Sequence, residues 1–192
     1  MDVEVDGQAC LLQTDERLVP LDAPESNHRL LAPLARRLGL DGDRLLDVVP
    51  ANDPARTAAV YDARLRAFFE AQGGILSLGL LGLGADGHTA GLFEQENAGA
   101  GGRLAVAVDR PDGLGGVSVT RETISRASYI IFFAAGEGKR EIVDRLLADP
   151  MSLPAGRAVA GHKHCELWYA ARRDMPRAAA GEAGDTITGG AT

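Results

Sequence analysis

The 192-residue sequence contains little cysteine, few aromatic residues and no excess of basic charge. Two cysteines, Cys10 and Cys165, are too few for a disulfide framework, which favours a reducing compartment such as the cytoplasm. The apolar runs are shorter than the roughly 20 residues of a membrane-spanning helix, and the first residues lack a signal-peptide pattern. A net charge of −7, without a stripe of basic and aromatic residues, argues against nucleic acid as a partner. We therefore expect a cytoplasmic protein that binds neither membranes nor nucleic acid.

Stretches with strand and helix patterns alternate along most of the chain. Apolar runs without alternation are typical of parallel strands that are covered on both faces. The predicted elements are a strand over 8–14, a helix from Ser26 or Asn27 to about Leu38, a strand over 44–50, a helix from Asp53 to Gly73, strands over 75–83, 103–109, 117–120 and 129–135, a helix over 139–148 and a strand over 165–170. They predict an α/β fold with a doubly wound, mostly parallel sheet and helices on both faces, as in Rossmann-like proteins. We expect one domain over 1–173 and a flexible tail, rich in Ala, Gly and Thr, over 174–192.

Three loops with polar residues follow predicted strands. Ligands of open α/β sheets bind beyond the carboxyl ends of the strands, where these loops should lie. The loops are Asp15-Glu16-Arg17, Asp86-Gly87-His88 and Gly136-Glu137-Gly138-Lys139. Each also has a structural interpretation: a solvated turn for the first, and a helix cap at Asp86 with a structural His88 for the second. Lys139 does not belong to a nucleotide-binding loop of the Walker type, because Phe133 stands where that motif needs glycine.

Other groupings of reactive residues do not form a recognisable site. His162, His164 and Cys165 are close in sequence, but no second cluster offers the remaining ligands of a zinc ion. Ser77 and Ser118 lack the surroundings of a hydrolase nucleophile. The sequence therefore predicts no metal site, no cofactor and no nucleophilic serine.

The three loops together resemble a known family. The segments TDERLVPLDAPESNHRLL, LLGLGADGHTAGLF and AAGEGKREIV are similar to the motifs of the 6-phosphogluconolactonase branch of the 6-phosphogluconolactonase/glucosamine-6-phosphate isomerase superfamily. The resemblance runs in the same order from about residue 8 to about residue 170. Isomerases and deaminases of the superfamily carry a glutamate five positions after the histidine, where this sequence has Phe93. Glu94 stands where lactonases usually have proline, which is a departure from the lactonase pattern. Arg17 fits that pattern. Because of Phe93 and Arg17, we favour the lactonase branch.

The resemblance implies hydrolysis of 6-phospho-D-glucono-1,5-lactone, a small sugar-phosphate lactone, in the oxidative pentose phosphate pathway. His88 would act as the general base on water. Asp86 would orient the imidazole of His88 or bind a sugar hydroxyl. The resemblance makes further residues candidates for substrate binding: Asp15, Glu16, Arg17, Asn27, Gly87 and Lys139. Of these, Arg17 and Lys139 would bind the phosphate, and Asn27 would shape the pocket, with no metal involved.

The sequence departs from this family in two respects. The family's first βα unit, which includes a Ser-Gly-Gly-Ser-Thr-Pro phosphate loop, would precede Gln8, where only seven residues stand. We expect a truncated chain, a misassigned start or a reduced paralogue. The family also has an arginine where this chain has Gly116, and the candidates to replace it are Arg103, Arg110 and Arg121. The alternative functions are thus a glucosamine-6-phosphate isomerase or deaminase, and a non-catalytic relative that binds sugar phosphates.

Overall fold

The structure is a computed structural model that describes residue 5 and residues 8–51, 53–93 and 101–171. Strands and helices alternate through most of this part of the chain. The strands are β1 (Leu11–Leu12), β2 (Asp15–Arg17), β3 (Leu45–Leu46), β4 (Gly79–Gly82), β5 (Ala105–Asp109), β6 (Gly115–Val119), β7 (Ile130–Ala135) and β8 (Cys165–Ala170). The helices are α1 (His28–Arg37), α2 (Pro54–Ala71), α3 (Arg121–Ile124), α4 (Arg140–Ala148) and α5 (Pro154–Ala158). None of the described helices is long and apolar enough to cross a bilayer.

The strands form three small sheets around one hydrophobic core. Strands β1 and β3 pair in parallel, and β4, β7 and β8 form a second parallel sheet in that order. Strand β6 lies between β2 and β5 and is antiparallel to both. The predicted α/β class with mostly parallel pairing is therefore confirmed. The antiparallel pairing of β5 and β6 follows from the short loop between them, which is too short for a crossover.

Helix α2 shows how the sequence pattern places the core. Asp53 accepts a hydrogen bond from the N–H of Ala55 (2.9 Å), as expected for a helix cap followed by proline. Tyr61 and Leu65, one turn apart, are fully buried. They belong to a cluster that also contains residues of β4, β6 and β7. The apolar face of α2 packs mainly on β5 and β6 of the antiparallel sheet.

One face of the sheet formed by β4, β7 and β8 differs from the prediction. Side chains alternate between the two faces of a strand, and Leu81 is 3% exposed whereas Leu80 is 61% exposed. Phe133 and Trp168, which are paired in register, are also exposed. Among the described residues, the face that carries Leu80, Phe133 and Trp168 is exposed. The prediction that these strands are covered on both faces is therefore wrong for that face. The predicted tail over 174–192 lies outside them, and the single domain over 1–173 stays a prediction.

The buried carboxylate of Glu16 joins strand β2 to helix α1. Glu16 is only 1% exposed, and its Oε1 accepts from the N–H groups of Arg17 and Asn27 (both 2.8 Å). Its Oε2 accepts from the N–H of His28 (2.7 Å), the first residue of α1. Unpaired N–H groups and the helix dipole make this end of a helix favourable for a negative charge. Glu16 therefore fixes where α1 begins.

The same carboxylate also organises the neighbouring strands. Its Oε2 accepts from Nε2 of Gln13 (2.9 Å) and from the hydroxyl of Ser26 (3.1 Å). Oε1 of Gln13 in turn accepts from the N–H of Val48, just beyond β3 (2.9 Å). The hydrogen bonds of Glu16 thus connect β2, α1 and the segment after β3.

We predict that Glu16→Ala lowers the free energy of unfolding by about 3–5 kcal/mol. The substitution leaves buried N–H and O–H donors without an acceptor, and each such group costs roughly 1–3 kcal/mol. Urea unfolding followed by circular dichroism would measure the change. Glu70→Ala, at an exposed position of α2, is the matched control and should change stability by less than about 0.5 kcal/mol. Equal stability of the two variants would contradict the role given to Glu16.

Candidate active site

A tight turn follows strand β4 and carries the first group of predicted site residues. The N–H of Gly84 donates to the carbonyl of His88 (2.8 Å), and the N–H of Gly87 donates to the carbonyl of Gly84 (3.1 Å). Gly87 has a φ of +88°, in the left-handed region that glycine adopts without strain, and a Cβ there would lie 2.8 Å from Leu153. The carbonyl of Gly87 accepts from the N–H of Ala155 (2.9 Å). The turn therefore requires glycine at position 87. The contact of Gly87 with the substrate stays a prediction.

Asp86 and His88 form a hydrogen-bonded pair in this turn. Nδ1 of His88 lies 2.5 Å from Oδ1 of Asp86, and the same oxygen accepts from the N–H of His88 (3.2 Å). The side chain of His88 is 28% exposed and that of Asp86 is 54% exposed. A Cβ on Gly84 would lie 2.2 Å from Nδ1 of His88, so glycine at position 84 leaves the space that the pair occupies. The pair is within reach of solvent and of a ligand.

The environment of Asp86 favours its charged form. Partial burial acts to raise the pKa of Asp86, but the hydrogen bonds from the side chain and backbone of His88 outweigh it and lower the pKa. Asp86 therefore stays ionised at neutral and mildly acidic pH. A carboxylate at Nδ1 fixes the neutral ring with its proton on that nitrogen and stabilises the protonated ring.

The segment after the Asp86–His88 pair is anchored to strands and does not form a helix. Thr89 donates its hydroxyl to the carbonyl of the last residue of β4 (2.8 Å), and the N–H of Gly91 donates to the hydroxyl of Ser118 in β6 (3.0 Å). The interpretation of Asp86 as the cap of a helix over 89–93 is therefore wrong. Ser118 could not be recognised as an anchor from sequence alone, because its partner Gly91 lies 27 residues away.

The second group of predicted residues lies in β2 and directly before α1. The prediction of a loop at Asp15-Glu16-Arg17 is wrong, because these residues form a strand that pairs with β6. Nδ2 of Asn27 donates to the backbone carbonyl of Asp15 (2.9 Å) and to its carboxylate (3.1 Å). Oδ1 of Asn27 accepts from Nη1 of Arg17 (3.0 Å), which also donates to the carbonyl of Glu25 (2.7 Å). Asn27 precedes α1, but its side chain makes no capping hydrogen bond. It links Asp15 to Arg17 instead.

Neighbouring side chains of β2 have different surroundings. Burial raises the pKa of Asp15, although the nearby guanidinium groups of Arg17 and Arg110 act to lower it. Glu16 points to the opposite face of the strand, where donors of the protein surround both its oxygens. The observed contacts of Glu16 are structural, and the predicted contact with substrate stays a prediction.

Lys139 lies beside the turn that holds the Asp86–His88 pair. Its Nζ donates to the carbonyl of Leu83 (2.7 Å), the residue between β4 and Gly84. The parallel pairing of β4 with β7 explains this, because parallel strands end at the same edge of a sheet. Two of the three predicted loops, those with His88 and Lys139, are therefore adjacent.

Arg110 connects strand β2 with the loop of His88. Its Nη1 lies 3.9 Å from the carboxylate of Asp15, and its guanidinium carbon lies 5.6 Å from the centroid of the Phe93 ring. The centroid of that ring lies 4.6 Å from the centroid of the His88 ring. Three arginines were candidates to replace the family arginine that is absent at Gly116. Of these three, Arg110 lies at this site. Arg121 donates to the carbonyl of Ala160 elsewhere, and Arg103 is exposed.

The histidine cluster near β8 lies at the other end of the sheet. The carbonyl of His164 accepts from the N–H of Ile130, the first residue of β7 (2.8 Å). Nε2 of His162 lies 2.6 Å from the carbonyl of Ala127. Among the residues that the structure describes, no three His, Cys, Asp or Glu side chains converge as metal ligands. The predicted absence of a metal site stays a prediction.

Known proteins resemble this chain in sequence and in fold. The family described as glucosamine-6-phosphate isomerases/6-phosphogluconolactonase matches residues 7–168. A 6-phosphogluconolactonase of Synechocystis is 35% identical over 156 residues, which covers 73% of this chain and 62% of the relative. The chain thus spans less than two thirds of the length of that protein.

Two solved structures share the fold at low sequence identity. The 6-phosphogluconolactonase of Thermotoga maritima matches with a TM-score of 0.72 and 24% identity, covering 85% of this chain and 72% of its own. A monomeric glucosamine-6-phosphate deaminase matches with a TM-score of 0.66 and 18% identity, covering 86% and 73%. The fold alone therefore does not distinguish lactonases from deaminases. The match over residues 7–168 shows that the chain belongs to the glucosamine-6-phosphate isomerase/6-phosphogluconolactonase family.

Proposed function

We propose that this chain hydrolyses 6-phospho-D-glucono-1,5-lactone to 6-phosphogluconate in the cytoplasm. The observation that carries the proposal is the Asp86–His88 pair, which is partly exposed in the turn after a parallel strand. The relative from Synechocystis is named a 6-phosphogluconolactonase, which supports the same activity. Phe93 stands in place of the glutamate expected for an isomerase or deaminase, which argues against that branch. Glu94, the neighbouring carboxylate, lies outside the described residues.

In the proposed reaction, His88 acts as the general base. Because Nδ1 faces the carboxylate of Asp86, the neutral ring keeps its proton there and offers the lone pair of Nε2. Nε2 takes a proton from water while the water oxygen attacks the lactone carbonyl carbon. The tetrahedral intermediate then breaks the bond between this carbon and the ring oxygen, which takes the proton back from Nε2. The ionised Asp86 stabilises the imidazolium that exists between the two steps.

We propose that cations bind the phosphate of the substrate at the edge of this site. Lys139 donates one hydrogen bond to Leu83, and its ammonium group has two further N–H donors. Arg17 donates through Nη1 to protein groups, but its buried Nε has no acceptor among the described residues. Asp15 and Asn27 would line the pocket next to Arg17, with hydrogen-bonding groups that suit sugar hydroxyls.

We predict that His88→Asn lowers kcat for the lactone by about two to four orders of magnitude. Loss of a general base has roughly this effect, because water must then react without assistance. A coupled assay of 6-phosphogluconate formation, corrected for spontaneous hydrolysis, would measure it. His164→Asn removes an exposed histidine at the other end of the sheet and should leave kcat unchanged. A His88→Asn variant with normal turnover would exclude the proposed role, and turnover of glucosamine 6-phosphate by the wild type would favour the deaminase.

The proposed reaction should depend on pH. Since the pKa of Asp86 is lowered, this carboxylate stays charged as the pH falls below neutral. We expect kcat/KM to fall on acidification because protonated His88 cannot accept a proton from water. In Asp86→Asn we expect kcat to fall, since the amide carries no negative charge to stabilise the imidazolium. A normal kcat in this variant would contradict the pairing of Asp86 with the base.

We predict that Lys139→Ala raises KM by about 10- to 100-fold and changes kcat by less than about 3-fold. A hydrogen bond to a charged group contributes roughly 1.5–3 kcal/mol, which corresponds to this range. Steady-state kinetics with the phosphorylated lactone would measure both constants. Arg140→Ala, the neighbouring exposed cation, is the matched control and should leave KM unchanged. A lower kcat at constant KM would indicate that Lys139 supports the turn through Leu83 instead.

A further inference from the structure

Phe93 contacts both the candidate base and a buried cation. Its ring centroid lies 4.6 Å from that of His88, and the two planes are inclined by 45°. The guanidinium carbon of Arg110 lies 5.6 Å from the same Phe93 centroid, within the range of a cation–π interaction. The three side chains thus form a continuous contact from Arg110 through Phe93 to His88.

We propose that Phe93 and Arg110 are positioning residues for the imidazole of His88, in the reaction proposed above. The hydrogen bond to Asp86 restrains the imidazole at Nδ1 alone, and a single hydrogen bond leaves the ring free to tilt about it. The ring of Phe93 lies against the imidazole and restricts that tilt. Arg110 holds the ring of Phe93 in turn, so that Nε2 keeps one direction towards the substrate.

Arg110 is itself held firmly enough to act as a support. Its side chain is 8% exposed, and its Nε and Nη2 donate to the carboxylate of Asp112 (3.1 and 3.0 Å). Its Nη1 lies 3.9 Å from the carboxylate of the half-buried Asp15. A Cβ on Gly116 would lie 3.1 Å from Cδ of Arg110, so the glycine leaves the space in which the side chain lies. Two carboxylates and the surface of β6 thus define the position of the guanidinium group.

The β5–β6 hairpin supports the segment after His88 at two separate points. Arg110, at the end of β5, contacts Phe93, and Ser118 in β6 accepts from the N–H of Gly91. The second contact fixes the backbone of the segment, whereas the first acts on a side chain. Loss of Arg110 should therefore leave the fold of the turn intact and change the orientation of the imidazole.

The experiment compares Phe93→Ala, Arg110→Met and the double variant. We expect Phe93→Ala to lower kcat about 10- to 100-fold and Arg110→Met about 3- to 10-fold, with KM changed less than 3-fold, because small errors in the placement of a catalytic group are costly. The double variant should match Phe93→Ala, since Arg110 acts through Phe93. Arg110→Lys, which keeps the charge, should recover part of the loss, and Arg103→Met, at an exposed position, is the control.

A second measurement does not depend on turnover. The ring current of Phe93 shifts the carbon-bound ring protons of His88 in the NMR spectrum, and His88→Asn assigns their signals. We expect both Phe93→Ala and Arg110→Met to move these signals while thermal unfolding shows a folded protein. A wild type without lactone hydrolysis would refute the proposed function, yet the NMR shifts would still test the positioning.

Three results would overturn the inference. Additive losses of kcat in the double variant would show that Arg110 and Phe93 act independently. A rise in KM at constant kcat in Arg110→Met would show that Arg110 contacts the substrate instead of supporting Phe93. Unchanged signals of His88 in Arg110→Met would equally exclude the support through the Phe93 ring.

Discussion

One half of the candidate site depends on the hydrogen bonds that the buried carboxylate of Glu16 accepts. A buried charge is tolerated only where hydrogen bonds surround it, and Glu16 receives them from β2, from the start of α1 and from Gln13. Its neighbours Asp15 and Arg17 point to the other face of β2, because side chains alternate along a strand. Glu16 thereby fixes the direction in which these two polar side chains leave the strand.

The other half of the site depends on the space that two glycines leave. At Gly84 a side chain would overlap the imidazole of His88, and at Gly87 it would meet Leu153 in a left-handed backbone conformation. The Asp86–His88 hydrogen bond can form only because the chain folds back this tightly. The Gly-x-Asp-Gly-His pattern therefore encodes a backbone shape as well as two reactive groups.

The antiparallel hairpin of β5 and β6 brings these halves together. Strand β6 pairs with β2, and the register sets Arg17 opposite Gly116. Arg110 follows β5 and extends over Gly116 between Asp15 and the ring of Phe93. A charged side chain is stable in this partly buried place because carboxylates flank it and an aromatic ring lies within cation–π distance. The hairpin is thus part of the site and not only of the scaffold.

The sequence by itself determined the α/β class, the family and the adjacency of Asp86 to His88. These features rest on local periodicity and on residues two positions apart, which any fold of this segment keeps close. Tertiary structure alone decided that Glu16 is surrounded by protein donors, that Leu80 lies on an open sheet face, and that Arg110 reaches Phe93. Each of these depends on strand register and on packing between distant segments. A linear pattern cannot specify them, because it records neighbours along the chain and not neighbours in space.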